Sequence, residues 1–430
     1  MLDIKFIRQN PALVKKAVKD KKSAGDVDKV LALDERRRHI LVEVEGKKSE
    51  QNKKSKGKPL PELIEELKKL KEEIKILEDE LGNVEAELQA EMYIIPNIPS
   101  KDTPVGSNES GNKVLRQVGK LPTFNFKPKE HLELGKDLNY IEIESASQIA
   151  GTRFVYLKGD LVHLQFALIH LALSILTDKK ILEKIARKNR LIIKVKPFIP
   201  VIPPVFIKPN IFNKMARLEP KEERYYIPSD DIYLIGSAEH TLGPLHINQV
   251  IDEKDLPIRY VGYSTSFRRE AGSYGKDTKG ILRLHQFDKV EMESFVVPED
   301  SIREQDFFVA IQEYLMQQLE LPYQVVIIST GDQGDPNARH IDIETWLPGQ
   351  NQYRETHSAD LMTDYQARRL STRLRRPNGQ LEFVHMNDAT VFAIGRTLIA
   401  IMENYQTSQG SIKVPKVLQK WMGIKEIKKN

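Results

Sequence analysis

The sequence predicts an α+β fold: an antiparallel two-helix coiled-coil arm, then a larger domain on an antiparallel β-sheet flanked by helices. Three observations predict it. Residues 60–92 carry a heptad seam. A proline- and glycine-bearing break precedes that seam, so its partner helix must fold back. Beyond residue 110 the periodicity changes to mixed strand and helix, and at 267–291 two alternating segments flank a glycine-rich loop.

The seam comprises Leu63, Leu67, Leu70, Ile74, Leu77, Leu81, Val84 and Leu88, spaced by fours and threes with Glu and Lys between them. A weaker seam, Val30, Leu33, Ile40 and Val44, lies upstream, with Arg37 in one seam position. Between them N-K-K-S-K-G-K-P-L-P places Gly57, Pro59 and Pro61 where a helix must stop. The arm helices are expected over about 27–92 with the tip at about 53–61. That tip is basic, with Lys47, Lys48, Lys53, Lys54, Lys56 and Lys58 against Glu50. Such lysines either face solvent or grip a phosphate backbone.

Residues 93–120 are rich in Pro, Gly, Ser and Asn and read as a connection. The domain boundary is placed at 110, giving 1–110 and 111–430. Residues 161–186 follow an apolar helical pattern, and P-F-I-P-V-I-P-P-V-F-I after them is extended, with Pro203 and Pro204 unsuited to a central ladder. Segment 177–196 suggests no function.

Composition narrows the classes. The 430 residues suffice for two or three domains. A net charge of +5 permits a nucleic-acid partner without requiring one. There is no cysteine, which excludes disulfides and thiolate zinc sites, and the histidines lack ligand spacing, so no protein-bound zinc is expected. No apolar run reaches transmembrane length and the N-terminus lacks a signal-peptide core, so no membrane association is expected and the default location is cytoplasmic.

The most informative stretch reads F-R-R-E-A-G-S-Y-G-K-D-T-K-G-I-L-R-L-H-Q-F-D-K-V-E (267–291). On a strand, Arg268 and Glu270 point the same way, and Arg283, His285, Phe287, Lys289 and Glu291 share one face. Guanidinium groups grip phosphate or carboxylate with two bonds. Phe287 offers a ring for base stacking, and Glu291 can hold an ammonium. Gly272, Gly275 and Gly280 allow close approach of the loop to a ligand. The set suits ATP plus an amino acid. Further on, Y-R-E-T-H-S (353–358) places a carboxylate and a hydroxyl, Glu355 and Ser358, where one Mg²⁺ can be shared. Ala393 to Tyr405 read as a helix, with Arg396 near its start.

The 267–291 stretch resembles motif 2 of the class II aminoacyl-tRNA synthetases and is close to the form in the seryl-tRNA synthetase family. The 161–207 region resembles motif 1, which builds the dimer interface, and 387–406 resembles motif 3. The basic-tipped hairpin resembles the arm that reaches the long variable arm of tRNA. The resemblance implies a catalytic domain of the class II type and a ligase that forms seryl-adenylate from ATP and L-serine. Serine then passes to the 3′ end of tRNA(Ser), with tRNA(Sec) left open as a second acceptor. It implies a homodimer that needs Mg²⁺ with ATP.

Residue by residue, the resemblance assigns Arg268 to the substrate carboxylate and α-phosphate and Arg396 to the terminal phosphates. It places Arg269, Glu270, Arg283 and Phe287 around the nucleotide, Glu355, Thr356, His357 and Ser358 in the ATP patch, and Glu355 and Ser358 on the metal. Ser237, Ala238, Glu239, Glu291 and Thr390 line the serine pocket, with Glu291 on the ammonium or hydroxyl and Thr390 on the hydroxyl. The chain departs from the family at Ser237, where Thr is usual, at Thr356 and His357, and at Asn387–Asp388, either of which can fill a position often held by Asn. Two other readings remain at this point: a ligase loading a carrier protein, disfavoured by the full arm, and a non-catalytic RNA-binding homologue, disfavoured by the intact Arg268, Glu291, Glu355 and Arg396.

Overall fold

The computed structural model describes residues 1–56, 61–271 and 280–429. Gly57, Lys58 and Pro59 of the arm turn, and Gly272 and Gly275 of the glycine-rich loop, lie outside them. The chain divides into two compact units, Met1–Ile98 and Pro99–Asn430.

In the first unit, α1 (Val27–Lys54) and α2 (Pro61–Ile94) form an antiparallel hairpin. Asp26 caps α1 by accepting from Lys29 N. At 34 residues, α2 is about 50 Å long. Val30, Leu33, Ile40 and Val44 are buried, as are Leu70, Ile74, Val84 and Leu88 of the facing seam. Cross-helix pairs fix the register: Lys29–Glu91 at 2.7 Å, Arg36–Glu80 at 2.8 Å and Lys54–Glu66 at 2.9 Å. Arg37, the odd residue in the seam, reaches Asp34 at 3.3 Å and Glu85 at 3.8 Å.

Residues 99–110 belong with the second unit rather than ahead of a boundary at 110. Pro104 O and Gly106 O accept from the Thr330 and Gly331 amides, which anchors the segment there.

The second unit is built on an eight-stranded sheet: β1 (Lys113–Val118), β2 (Ile199–Val201), β3 (Ile258–Phe267), β4 (Gln286–Val296), β5 (Tyr323–Ile327), β6 (Arg339–Leu347), β7 (Gln352–Thr363) and β8 (His385–Ala393). Their order is β1-β5-β6-β7-β8-β4-β3-β2, antiparallel throughout except for β2 beside β3. The proline-bearing β2 sits at the edge, as a missing N–H requires. The apolar pattern at 161–186 forms two helices. α3 (Asp160–Leu176) stops, and Asp178 then caps α4 (Lys179–Lys188) by accepting from Lys180 N and Ile181 N. This resolves segment 177–196: Leu182, Ile185 and Ala186 of α4 are buried in the main core. Among the described residues no single helix is long and apolar enough to cross a membrane.

Two more helices, α5 (Ser301–Gln318) and α6 (Ile394–Asn404), pack on the sheet. From α5, Gln312 donates to the carbonyls of Ser358 at 2.7 Å and Thr390 at 2.8 Å, tying together two strands that carry site residues. A buried ion pair, Arg259 with Glu304 at 2.6 and 2.7 Å, links β3 to α5, and Arg259 also donates to the Lys194 and Lys196 carbonyls.

Candidate active site

A cleft of about 250 Å³ lies over the central strands. Side chains from the two alternating segments, from β6, β7 and β8, and from the start of α6 line it.

The hairpin supplies one wall. Strand β3 ends at Phe267, so Arg268 and Glu270 do not alternate on a strand as expected; Glu270 takes a left-handed φ of 52°. Both still line the cleft. Arg268 Nε donates to the Gly236 carbonyl at 3.1 Å, and its guanidinium lies 5.4 Å from the Phe287 ring centroid. Arg283 meets Glu270 at 3.2 Å. His285 leaves the shared face: its Nδ1 lies 2.9 Å from the Arg268 carbonyl, and its ring sits near Phe154 and Tyr225. Arg269 does not line the cleft; its amide donates to Glu223 O.

The floor depends on two β-bulges. On a regular strand Glu355 and Ser358, three apart, face opposite sides. The register runs Asp342↔Ser358, Ile343↔His357 and Glu344↔Glu355, leaving Thr356 as an extra residue. That bulge reverses the parity and brings Glu355 and Ser358 into one cleft. A second bulge leaves Val391 unpaired and sets Thr390 directly opposite Glu291. Ser358 and Thr390 hydroxyls are 3.2 Å apart. Arg396, at the start of α6, pairs with Glu355 Oε1 at 2.9 Å. The Glu355 side chain is about half exposed to the cleft; partial desolvation there raises its carboxyl, but Arg396 and the cations beyond it hold it below its ordinary value. A carboxylate and a hydroxyl facing one cleft are hard oxygen donors that fit Mg²⁺. Of the two departures in this segment, Thr356 bonds Thr345 at 2.7 Å, and His357 is buried, bonded to Thr356 and outside the cleft lining. Burial drives the His357 pKa down to about 3.

The far end is a buried cluster of charge. Lys289 lies 3.0 Å from Glu291, 3.2 Å from the Ser237 hydroxyl and 3.8 Å from Glu239. Ser237 donates to Glu239 at 2.8 Å. Gly262 lets this segment approach, since a Cβ there would lie 2.7 Å from Leu242 Cδ1 and 3.3 Å from the Ala238 Cβ. Ala238 therefore packs behind the pocket and does not line it, and the buried Ser237 and Glu291 likewise stand behind the lining, which Glu239, Lys289 and Thr390 form here. Burial would raise the Glu239 carboxyl, but Lys289 and Arg217 hold it well below its usual range. Burial, reinforced by Glu239, pushes Glu291 up to about 8 despite Lys289. Glu291 Oε2 is buried with no hydrogen-bond partner. Carboxylate oxygens of Glu239, Glu291 and Asp388 converge within 4.8 Å, a spacing that can hold a cation. Of the pair left open, Asp388 faces this cluster and pairs with Arg217 at 3.2 Å, whereas Asn387 is buried with neither amide atom bonded.

Four titratable lining residues escaped the sequence reading as site residues: Arg217, Lys289, His340 and Asp360. Lys289 was readable from alternation with Phe287 and Glu291, and Asp360 from alternation with Ser358. Arg217 lies in a loop with no periodic signal.

Residues 224–405 match the family model "tRNA synthetase class II core domain (G, H, P, S and T)", so the antiparallel sheet and its cleft are of that class. Residues 1–99 match the Seryl-tRNA synthetase N-terminal domain. A serine--tRNA ligase of Dictyoglomus thermophilum is 40% identical, aligned over 100% of this chain and 99% of its own length. One from Nitrosopumilus maritimus is 36% identical over 98% and 99%. The structure of seryl-tRNA synthetase from Pyrococcus horikoshii complexed with ATP superposes with a TM-score of 0.90 at 36% identity, covering 100% of both chains. The cytoplasmic serine-tRNA ligase from Naegleria fowleri in complex with AMP gives 0.86 at 33%, covering 100% and 99%. The chain belongs to the seryl-tRNA synthetase family.

Proposed function

We propose that this chain is a serine--tRNA ligase that makes seryl-adenylate from ATP and L-serine and transfers the seryl group to tRNA(Ser). One observation carries the site assignment. Along β4 a single cleft is lined by a ring and two guanidinium groups (Phe287, Arg268, Arg396) at one end and by Glu239, Lys289 and Thr390 at the other, and opposite Thr390, just behind that lining, lies the buried acid Glu291 with one oxygen that no group bonds. The first end suits a nucleotide triphosphate and the second a small hydroxylated amine.

In the first step a serine carboxylate oxygen attacks the α-phosphorus in line and pyrophosphate leaves. In the second a terminal ribose hydroxyl of tRNA attacks the seryl carbonyl and AMP leaves. Positioning and charge neutralisation dominate such chemistry. Arg268 grips the carboxylate and α-phosphate, Arg396 the outer phosphates, and Phe287 stacks on adenine with Glu270 at its edge. Glu355 and Ser358 would hold Mg²⁺, which when bound neutralises phosphate charge. Glu291 and Glu239 accept from the ammonium, and Thr390 bonds the hydroxyl. An analogue without the hydroxyl leaves these buried groups unpaired, a penalty that reaches about 10⁴-fold in rate.

Lys53 and Lys56 at the arm tip are exposed and suit tRNA phosphates, whereas Lys47, Lys48 and Lys54 are paired with acids of α2. The edge strand β2 leaves Ile199 exposed, with Ile192 and Ile202 exposed nearby, a surface that a second copy would cover in a homodimer. With ATP and tRNA as substrates, the working compartment is the cytoplasm. Charging of a tRNA(Ser) transcript with labelled serine tests the reading. Charging is expected, and failure with a transcript that a related ligase can charge refutes it.

A further inference from the structure

The register lays two transverse rows across the sheet face that floors the cleft. The first contains Asp342, Ser358, Thr390 and Glu291; the second, one step further from Phe287, contains His340, Asp360, Asp388 and Glu293. The second row forms the inner end of the cleft, where His340 and Asp360 line it together with Arg217.

Arg217 does not come from the sheet. It follows the short helix Pro209–Lys214 and Ala216, whose φ is 55°. Its carbonyl accepts from Arg224 Nε at 3.1 Å, which steadies the loop. Its guanidinium reaches Asp360 at 3.0 Å, Asp388 at 3.2 Å and Glu239 at 3.6 Å, three acids on three separate segments. A planar fork can bridge two carboxylates at once, which an ammonium cannot do in fixed geometry. The acids are held in turn. His340 contacts Asp360 through one ring nitrogen and Asp342 through the other at 2.7 Å, and Asn337 donates to Asp360 at 2.6 Å. Glu293 lies opposite Asp388, wholly buried, with neither carboxyl oxygen bonded. A lone carboxylate in that position is prohibitively costly, so Glu293 stays protonated and adds no charge against Asp388. Burial and Asp388 both push its pKa well above the ordinary range.

Resting on the synthetase reading above, we propose that Arg217 is the end wall of the amino-acid pocket and sets the longest side chain the pocket admits. Thr390 and Glu291 stand in the row just before it, so a side chain longer than that of serine runs into a guanidinium pinned from three sides. The wall is rigid because releasing any one acid leaves a buried charge unpaired. This is specificity by a fixed obstacle as well as by attraction.

The test is ATP–pyrophosphate exchange with serine, threonine and homoserine. It compares the unmodified chain, Arg217→Lys, and the double variant Arg217→Gln with Asp388→Asn. The double change removes Arg217 together with one of its three partners, so Asp388 is not left facing the position that Arg217 vacates. The expected result is a rise of about tenfold or more in kcat/KM for threonine or homoserine relative to serine, with KM for ATP unchanged. Equal losses for all three amino acids in whichever variants fold would overturn the assignment. Absence of serine-dependent exchange in the unmodified chain would instead sink the synthetase reading itself.

Discussion

Serine binding should depend steeply on pH because of Glu291. Its folded pKa is about 8, raised first by burial and then by Glu239, against an ordinary value of 4.5. Below pH 8 the carboxyl is mostly protonated and lacks the negative charge that pairs with the substrate ammonium, leaving only a neutral acceptor. At pH 6 roughly 1% is ionised, at pH 7 roughly 9% and at pH 9 roughly 90%, and apparent affinity scales with the competent fraction. KM for serine should therefore fall about tenfold per unit from pH 6 towards pH 8 and level off above it. KM for ATP should not follow, since the phosphates fall to the guanidinium groups of Arg268 and Arg396 and not to Glu291. The assay is pyrophosphate exchange at saturating ATP from pH 6 to 9. Glu291→Gln, which cannot ionise, should raise KM for serine and flatten its pH profile. A serine KM already flat between pH 6 and 8 in the unmodified chain would mean that the Glu291 charge does not hold the substrate ammonium.

Three further outcomes follow from the geometry. Glu304→Ala strands the buried Arg259 guanidinium and should cost about 3–5 kcal/mol in denaturant unfolding, whereas Arg259→Met with Glu304→Leu should recover most of it. Lys53→Glu with Lys56→Glu should weaken tRNA binding and flatten its salt dependence by roughly two phosphate contacts, while serine-dependent exchange is unchanged. Arg396→Ala should lower kcat for exchange by about 10²–10³-fold; removal of divalent metal should abolish exchange and added Mg²⁺ restore it.

Much of the fold was legible because it is local. The Leu63–Leu88 seam and the Gly57–Pro61 break define a hairpin without reference to the rest of the chain. The 267–291 stretch was legible because its chemistry sits on neighbouring side chains. What escaped depended on long-range pairing. The shared face of Glu355 and Ser358 needs the bulge at Thr356, which is set by where β6 pairs with β7. The end of β3 at Phe267 and the turning of His285 onto the Arg268 carbonyl depend on how the hairpin meets Phe154 and Tyr225. The pairing of Lys47, Lys48 and Lys54 with α2 follows from a helix register that composition does not reveal. Arg217 lies some 140 residues before Asp360 and 170 before Asp388, and only folding joins them.

Whether the cleft activates serine is decided by amino-acid-dependent ATP–pyrophosphate exchange across all twenty amino acids, with Mg²⁺. Exchange with serine alone is predicted. Exchange with another amino acid and none with serine would contradict the serine pocket proposed around Glu239, Glu291 and Thr390, and exchange with none would contradict the proposed ligase activity.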